Sequence, residues 1–229
     1  MSGVKIKICG LIRSKDIEYV NEFMPDYIGF VFAESKRQID LNTAKKLKEQ
    51  LKNSIKTVGV FVDEDIETIA QTVNDGVIEL VQLHGSEDES YILNLRQKLK
   101  SDIAVIKAVR VNSLNNNILK DNLLDNNMLN HNLINAVNTD EIRISTDADF
   151  VLLDSGAGSG EIFDWDKKIV CNKPVFLAGG LNEYNVSEAI KKIQPFAVDV
   201  SSGIETAGFK DIEKIRRFIK ESRKVYEKR

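Results

Sequence analysis

Cysteine and histidine are scarce in this chain, with two of each among 229 residues, and no apolar run approaches the ~20 residues of a membrane span. Two thiols, Cys9 and Cys171, make no disulfide framework and fit a reducing compartment better. The histidines, His84 and His131, stand far apart, so no metal site is readable. An apolar h-region is missing near the N-terminus, and a cytoplasmic location without membrane attachment is the expectation. Charge of one sign is missing too. Lys and Arg number 32 against 35 Asp and Glu, a net charge of -3, which gives no electrostatic case for nucleic acid or anionic lipid.

What is present is core material: 42% of residues are hydrophobic and 29% charged. Eight short apolar runs recur at Lys5–Cys9, Tyr27–Phe32, Thr57–Val62, Ile78–His84, Ala104–Val111, Phe150–Asp154, Pro174–Gly179 and Ala197–Ser201. Most are rich in β-branched residues and too short for helices, as expected of strands buried on both faces. Amphipathic stretches such as Thr43–Leu51, Ile66–Val73, Tyr91–Leu99, Val186–Ile193 and Asp211–Tyr226 lie between them. Eight strand–helix units predict a (β/α)8 TIM barrel as a single domain over 1–229. A doubly wound open sheet is the competing fold, disfavoured by the lack of an early Gly-x-Gly-x-x-Gly turn. Residues 112–138 are Asn-rich and break the pattern. They read as an enlarged fifth helical region over about 112–145, with an exposed loop, because Asn is a modest helix former.

Alternate residues of a strand share a face. By that count Lys7 and Cys9 lie together, as do Gln82 with His84, Phe150 and Leu152 with Asp154, and Asp199 with Ser201. Lys107 lies with Val105 and Val109. This polar set is expected to face the barrel interior, with Lys7, Lys107, Asp154 and Asp199 pairing among themselves, because buried charges need partners. Cys9 and Asp154 each end an apolar run at a Gly- or Ser-containing turn, where an α/β barrel does its chemistry. A thiol and a carboxyl there can take and give a proton.

Anion-binding features surround that pair. Gly179-Gly180 ends the seventh run and Ser201-Ser202-Gly203 the eighth, where small residues let backbone N–H groups approach a phosphate. Gly158-Ser159-Gly160 reads as a plain turn before Phe163-Asp164-Trp165, an aromatic anchor on the barrel wall, or as a loop closing over ligand, and the two readings are compatible. Arg37, in Ser35-Lys36-Arg37, is either a solvated loop cation or a fork for a second anionic group. His84, before Gly85, is either a packed capping residue or a ligand contact, and Cys171, in a helix-to-strand connection, reads as structural.

The blocks Lys7-Ile-Cys9-Gly-Leu, Gly29-Phe-Val-Phe, Ser35-Lys-Arg37, Gly59-Val-Phe-Val-Asp, Val81-Gln-Leu-His84-Gly, Leu152-Leu-Asp154, Gly158-Ser-Gly160, Phe163-Asp-Trp165, Ala178-Gly-Gly180-Leu-Asn and Val198-Asp199-Val-Ser-Ser-Gly203 together resemble phosphoribosylanthranilate isomerases of tryptophan biosynthesis. Ala157 stands where that family usually carries its first loop glycine. The resemblance implies an Amadori rearrangement of a phosphorylated small molecule, with Asp154 as general acid and Cys9 as general base. It also implies that Arg37 holds the anthranilate carboxylate and that His84 and Asp199 contact substrate. The phosphate would fall to Gly180, Ser202 and Gly203, helped by Gly158 and Gly160. It implies no metal or organic cofactor, because the substrate's own nitrogen is the electron sink, and a monomer or homodimer. A nearby cation or helix N-terminus is expected to lower the Cys9 thiol toward neutrality. The alternative is a catalytically silent barrel that only binds a phosphorylated ligand.

Overall fold

The computed structural model describes residues 3–100, 103–111, 141–155 and 164–227. Strands β1 (Lys5–Cys9), β2 (Tyr27–Val31), β3 (Lys56–Phe61), β4 (Leu80–Leu83), β5 (Ala104–Arg110), β7 (Phe150–Asp154), β9 (Val175–Leu177) and β10 (Ala197–Val200) form a closed parallel barrel in that order. The ring shuts where β1 pairs with β10, Lys5 opposite Ala197 and Lys7 opposite Asp199. The TIM barrel expected from the eight apolar runs is therefore what forms. The strands are shorter than several of those runs; that over Ile78–His84, for instance, contributes only Leu80–Leu83.

Helices α1 (Ser14–Phe23), α2 (Leu41–Glu49), α3 (Ile66–Asn74), α4 (Glu89–Lys98), α5 (Val186–Ile193) and α6 (Ile212–Glu227) cover the outside. Short acidic residues fix several of their starts. Asp40, Asp65 and Asp88 accept hydrogen bonds from backbone N–H groups in the first turns of α2, α3 and α4, and Asp211 does so for α6. Each such cap satisfies donors the helix cannot satisfy itself and contributes about 1 kcal/mol.

Strand alternation sorts the apolar side chains into two cores. Tyr27, Val58, Leu80, Ile106, Leu152, Phe176 and Ala197 fill the barrel, while Ile8, Ile28, Phe30, Val81, Val109, Leu153 and Val198 pack outward with the helices. Phe176 meets Tyr27 edge-on at 5.6 Å and Phe150 at 5.4 Å, with Phe196 alongside at 5.6 Å. These aromatics close the N-terminal end of the barrel. The opposite, C-terminal end is left as the open one.

The structure corrects the sequence reading at three places. Residues 112–140 of the enlarged fifth region lie outside the described residues, but Glu141–Ile144 is a strand (β6), not helix. Ile142 and Ile144 alternate with exposed or half-buried neighbours, a period of two. β6 pairs in parallel with β8 (Lys168–Cys171) in a small sheet outside the barrel, so Cys171 ends a strand where a connection was expected. Lys107 shares parity with Val105 and Val109, and both of these belong to the outer core, so it points away from the barrel interior. Its ammonium pairs with Glu87 Oε2 at 2.7 Å and donates to the Gly85 carbonyl at 2.9 Å, not to Asp154 or Asp199.

Candidate active site

A cleft of ≈ 320 Å³ opens at the C-terminal end of the barrel. Cys9, Arg37, His84, Asp154, Gly180, Asp199, Ser202 and Gly203 all line it, so every described residue singled out for chemistry or binding meets in one place. Gly158 and Gly160 lie outside the described residues. Trp165, after that loop, is buried in the outer core, which supports the aromatic-anchor reading of it.

Cys9 ends β1 with its side chain turned into the barrel, opposite Gly29 of β2. The fit depends on that glycine, since a Cβ there would fall 2.6 Å from the Cys9 sulfur. Below the thiol, Lys7 is fully buried and donates from Nζ to Asp199 Oδ2 at 2.9 Å, the pairing expected from parity. Burial pushes the Cys9 thiol above its ordinary value and Asp199 adds to this. The charges of Lys7 and Lys210 and a hydrogen bond from Lys7 oppose the rise without cancelling it. The expectation of a thiol lowered toward neutrality is thus corrected: the cation is present, and desolvation outweighs it.

Across the barrel mouth, Asp154 ends β7. Its Oδ2 lies 3.2 Å from His84 Nε2, while His84 Nδ1 lies 3.0 Å from the Gln82 amide nitrogen. The amide can only donate, so a neutral His84 accepts at Nδ1, carries its proton on Nε2 and donates it to Asp154. His84 is thereby a contact of the carboxyl and not a mere cap. Gln82 Oε1 and Asp199 Oδ1 are buried without a hydrogen-bond partner among the described residues. Both residues line the cleft, so each orphaned acceptor has a place for a ligand hydroxyl.

The two glycine turns prove to be neighbours. A Cβ on Gly203 would fall 1.9 Å from the Leu181 carbonyl oxygen, so the chain after β10 lies directly on the chain after β9. Gly180 and Ser202-Gly203 consequently border one wall of the cleft, the arrangement an anion bound by backbone groups requires.

Two residues escaped the sequence reading. Glu205 receives both Nε and Nη2 of Arg37, at 2.7 and 2.8 Å, and Lys210 donates to the same carboxylate at 2.7 Å. They sit on β11 (Glu205–Thr206) and β12 (Phe209–Lys210), two-residue strands too short to show a period. The signal available was a charge two residues past Gly203, and such a charge reads as solvated loop.

A sequence model of the family described as N-(5'-phosphoribosyl)anthranilate (PRA) isomerase matches residues 6–134 and 128–221. The N-(5'-phosphoribosyl)anthranilate isomerase of Endomicrobium trichonymphae is 45% identical over 94% of this chain and 96% of its own length. That of Thermoanaerobacter sp. (strain X514) is 42% identical, covering 97% and 99%. Among solved structures, the phosphoribosyl anthranilate isomerase of Thermotoga maritima superposes with a TM-score of 0.69 at 32% identity, over 96% of this chain and 98% of that one. Another isomerase, solved with reduced 1-(o-carboxyphenylamino)-1-deoxyribulose 5-phosphate, gives 0.67 at 31%, with coverage of 96% and 98%. The chain belongs to the N-(5'-phosphoribosyl)anthranilate isomerase family.

Proposed function

We propose that this chain converts N-(5-phospho-β-D-ribosyl)anthranilate to 1-(2-carboxyphenylamino)-1-deoxy-D-ribulose 5-phosphate by an Amadori rearrangement, a step of L-tryptophan biosynthesis. The observation that carries the proposal is the meeting of Cys9, Asp154, Arg37 and the two glycine turns in one cleft. That cleft offers a proton donor, a proton acceptor and sites for two anions.

In this reading the phosphate rests on the wall formed by Gly180, Ser202 and Gly203, and Arg37 holds the anthranilate carboxylate. Protonated Asp154 gives its proton to the furanose ring oxygen. The C1′–O bond breaks while the anthranilate nitrogen lone pair closes a C1′=N bond, giving a protonated Schiff base. His84 Nε2 contacts Oδ2 of the same carboxyl. Cys9, as thiolate, removes the C2′ proton, and the released pair forms C1′=C2′ and neutralises the nitrogen. The enolamine then tautomerises, C2′ becoming a ketone as C1′ gains a proton. No atom is gained or lost.

Asp199 serves through both oxygens, one on Lys7 and the other free to accept from a sugar hydroxyl. The reaction takes place in the cytoplasm on a phosphorylated small molecule and away from nucleic acid and membranes, by a chain acting as a single domain, monomeric or homodimeric. Among the described residues no helix is long and apolar enough to cross a membrane.

The test is turnover itself. With phosphoribosylanthranilate generated in situ, the purified chain should remove its fluorescence at a rate proportional to enzyme concentration. Binding of a phosphorylated product analogue without any turnover would instead favour the silent barrel.

A further inference from the structure

Beside Arg37 stands a hairpin whose charges the chemistry above does not use. β11 and β12 pair antiparallel, Glu205 with Lys210 and Thr206 with Phe209. The Glu205 carboxylate, nearly buried at 9% exposure, takes the Nε–Nη2 edge of the guanidinium in two parallel hydrogen bonds. Lys210, at 1% exposure, holds Glu205 Oε1 at 2.7 Å and the Ser201 carbonyl at 3.0 Å. The hairpin is braced from the far side as well, with Arg13 over the Phe209 ring at 4.1 Å. An Arg fork has two edges for carboxylates. Glu205 fills one, and Nη1 with the second N–H of Nη2 remains for a ligand.

We propose that Glu205, clamped by Lys210, is the positioning residue of Arg37, fixing the guanidinium so that its remaining edge meets the substrate carboxylate. The inference rests on the reading of Arg37 as the carboxylate-binding group. A long side chain that must be immobilised on binding weakens affinity, and a clamp made during folding removes that cost beforehand. Burial works against a charged Glu205, yet the bonds from Arg37 and Lys210 hold its carboxyl below the usual range, so the clamp is ionised at neutral pH.

Glu205→Gln keeps the size of the side chain and loses the charge-assisted fork. Its KM should rise about fivefold to tenfold, the cost of one freed side chain, with kcat nearly unchanged. Arg37→Ala should raise KM further, and Glu205→Gln in the Arg37→Ala background should add nothing. Affinity for 1-phenylamino-1-deoxyribulose 5-phosphate, which lacks the carboxylate, should be the same in wild type and Glu205→Gln. Should Lys210, stripped of its counter-charge, prevent Glu205→Gln from folding, the neutral pair Glu205→Gln with Lys210→Met carries the same expectations for KM and for the ligand without the carboxylate. It does not carry that for kcat, because losing the Lys210 charge also raises the Cys9 thiol.

A wild-type KM in the Glu205 variant, with Arg37→Ala impaired, overturns the inference alone. So does an equal loss of affinity for the ligand without the carboxylate, which would mark a general structural defect. A wild-type KM in Arg37→Ala overturns the carboxylate reading and the inference with it.

Discussion

Replacing Lys7 by Met removes an ammonium but keeps most of the side chain's volume. Lys7 is fully buried, and its Nζ makes the 2.9 Å bond to Asp199 Oδ2. The other oxygen, Asp199 Oδ1, is buried without a partner among the described residues. The variant therefore strands a carboxylate at 8% exposure with little to compensate it. Breaking such a pair on one side costs about 3–5 kcal/mol, a large share of the ~5–15 kcal/mol by which domains are stable. For a chain of this size the shift in Tm is roughly 10 °C.

Lys7→Met with Asp199→Asn, which removes both charges, should recover most of the stability. Urea denaturation measures all three forms, wild type included. Lys7 also opposes the burial that raises the Cys9 thiol, so iodoacetamide should alkylate Cys9 in Lys7→Met only at higher pH than in wild type. A loss below about 1 kcal/mol, together with an unmoved alkylation profile, would refute the reasoning on both counts.

Gly29→Ala should cost about 1–3 kcal/mol and reduce turnover, because the new Cβ falls 2.6 Å from the Cys9 sulfur and the strand or the thiol must yield; urea melts and the turnover assay check this. Wild-type kcat/KM should climb as pH rises through the neutral range, because the raised Cys9 pKa leaves little thiolate there and each rise in pH supplies more base; a profile flat from pH 6 to 9 would contradict it. Lys107→Met should destabilise by about 3 kcal/mol, since it breaks the buried pair with Glu87. Unlike Lys7→Met, it should leave the Cys9 alkylation profile in place, because Lys107 points away from the barrel interior.

The sequence carried the barrel because its strands are continuous apolar runs, a signal that survives without knowledge of partners. It carried the site because strand ends can be counted from the motifs themselves: Cys9 and Asp154 fall at the C-terminal rim wherever their strands are placed in the ring. Lys107 was misread for a related reason. A lysine on a buried strand reads as facing a polar interior, and sequence does not reveal that Glu87, twenty residues away, waits on the outer side. Parity gives which residues share a face, but only packing says which face is inward.

The Arg37 clamp was illegible for another reason: it depends on a contact between parts of the chain remote in sequence, Arg37 with Glu205 across 168 residues, whereas the Lys7–Asp199 pair was anticipated from parity. The cation beside Cys9 could be anticipated, but whether it outweighs burial is a matter of degree that only the enclosed geometry decides. At Glu141–Ile144 the alternation was readable, yet the barrel's own rhythm of strand and helix suggested a helical region there.

The most direct test of the account is the proton work assigned to the two strand ends. Wild type, Cys9→Ser and Asp154→Asn should be compared in turnover of phosphoribosylanthranilate, with affinity for a phosphorylated product analogue measured on each. The account predicts that each substitution lowers kcat by about 10²–10⁴-fold, the usual range for a general acid or base, while analogue affinity stays near that of wild type. Turnover left nearly unchanged by both substitutions would contradict it.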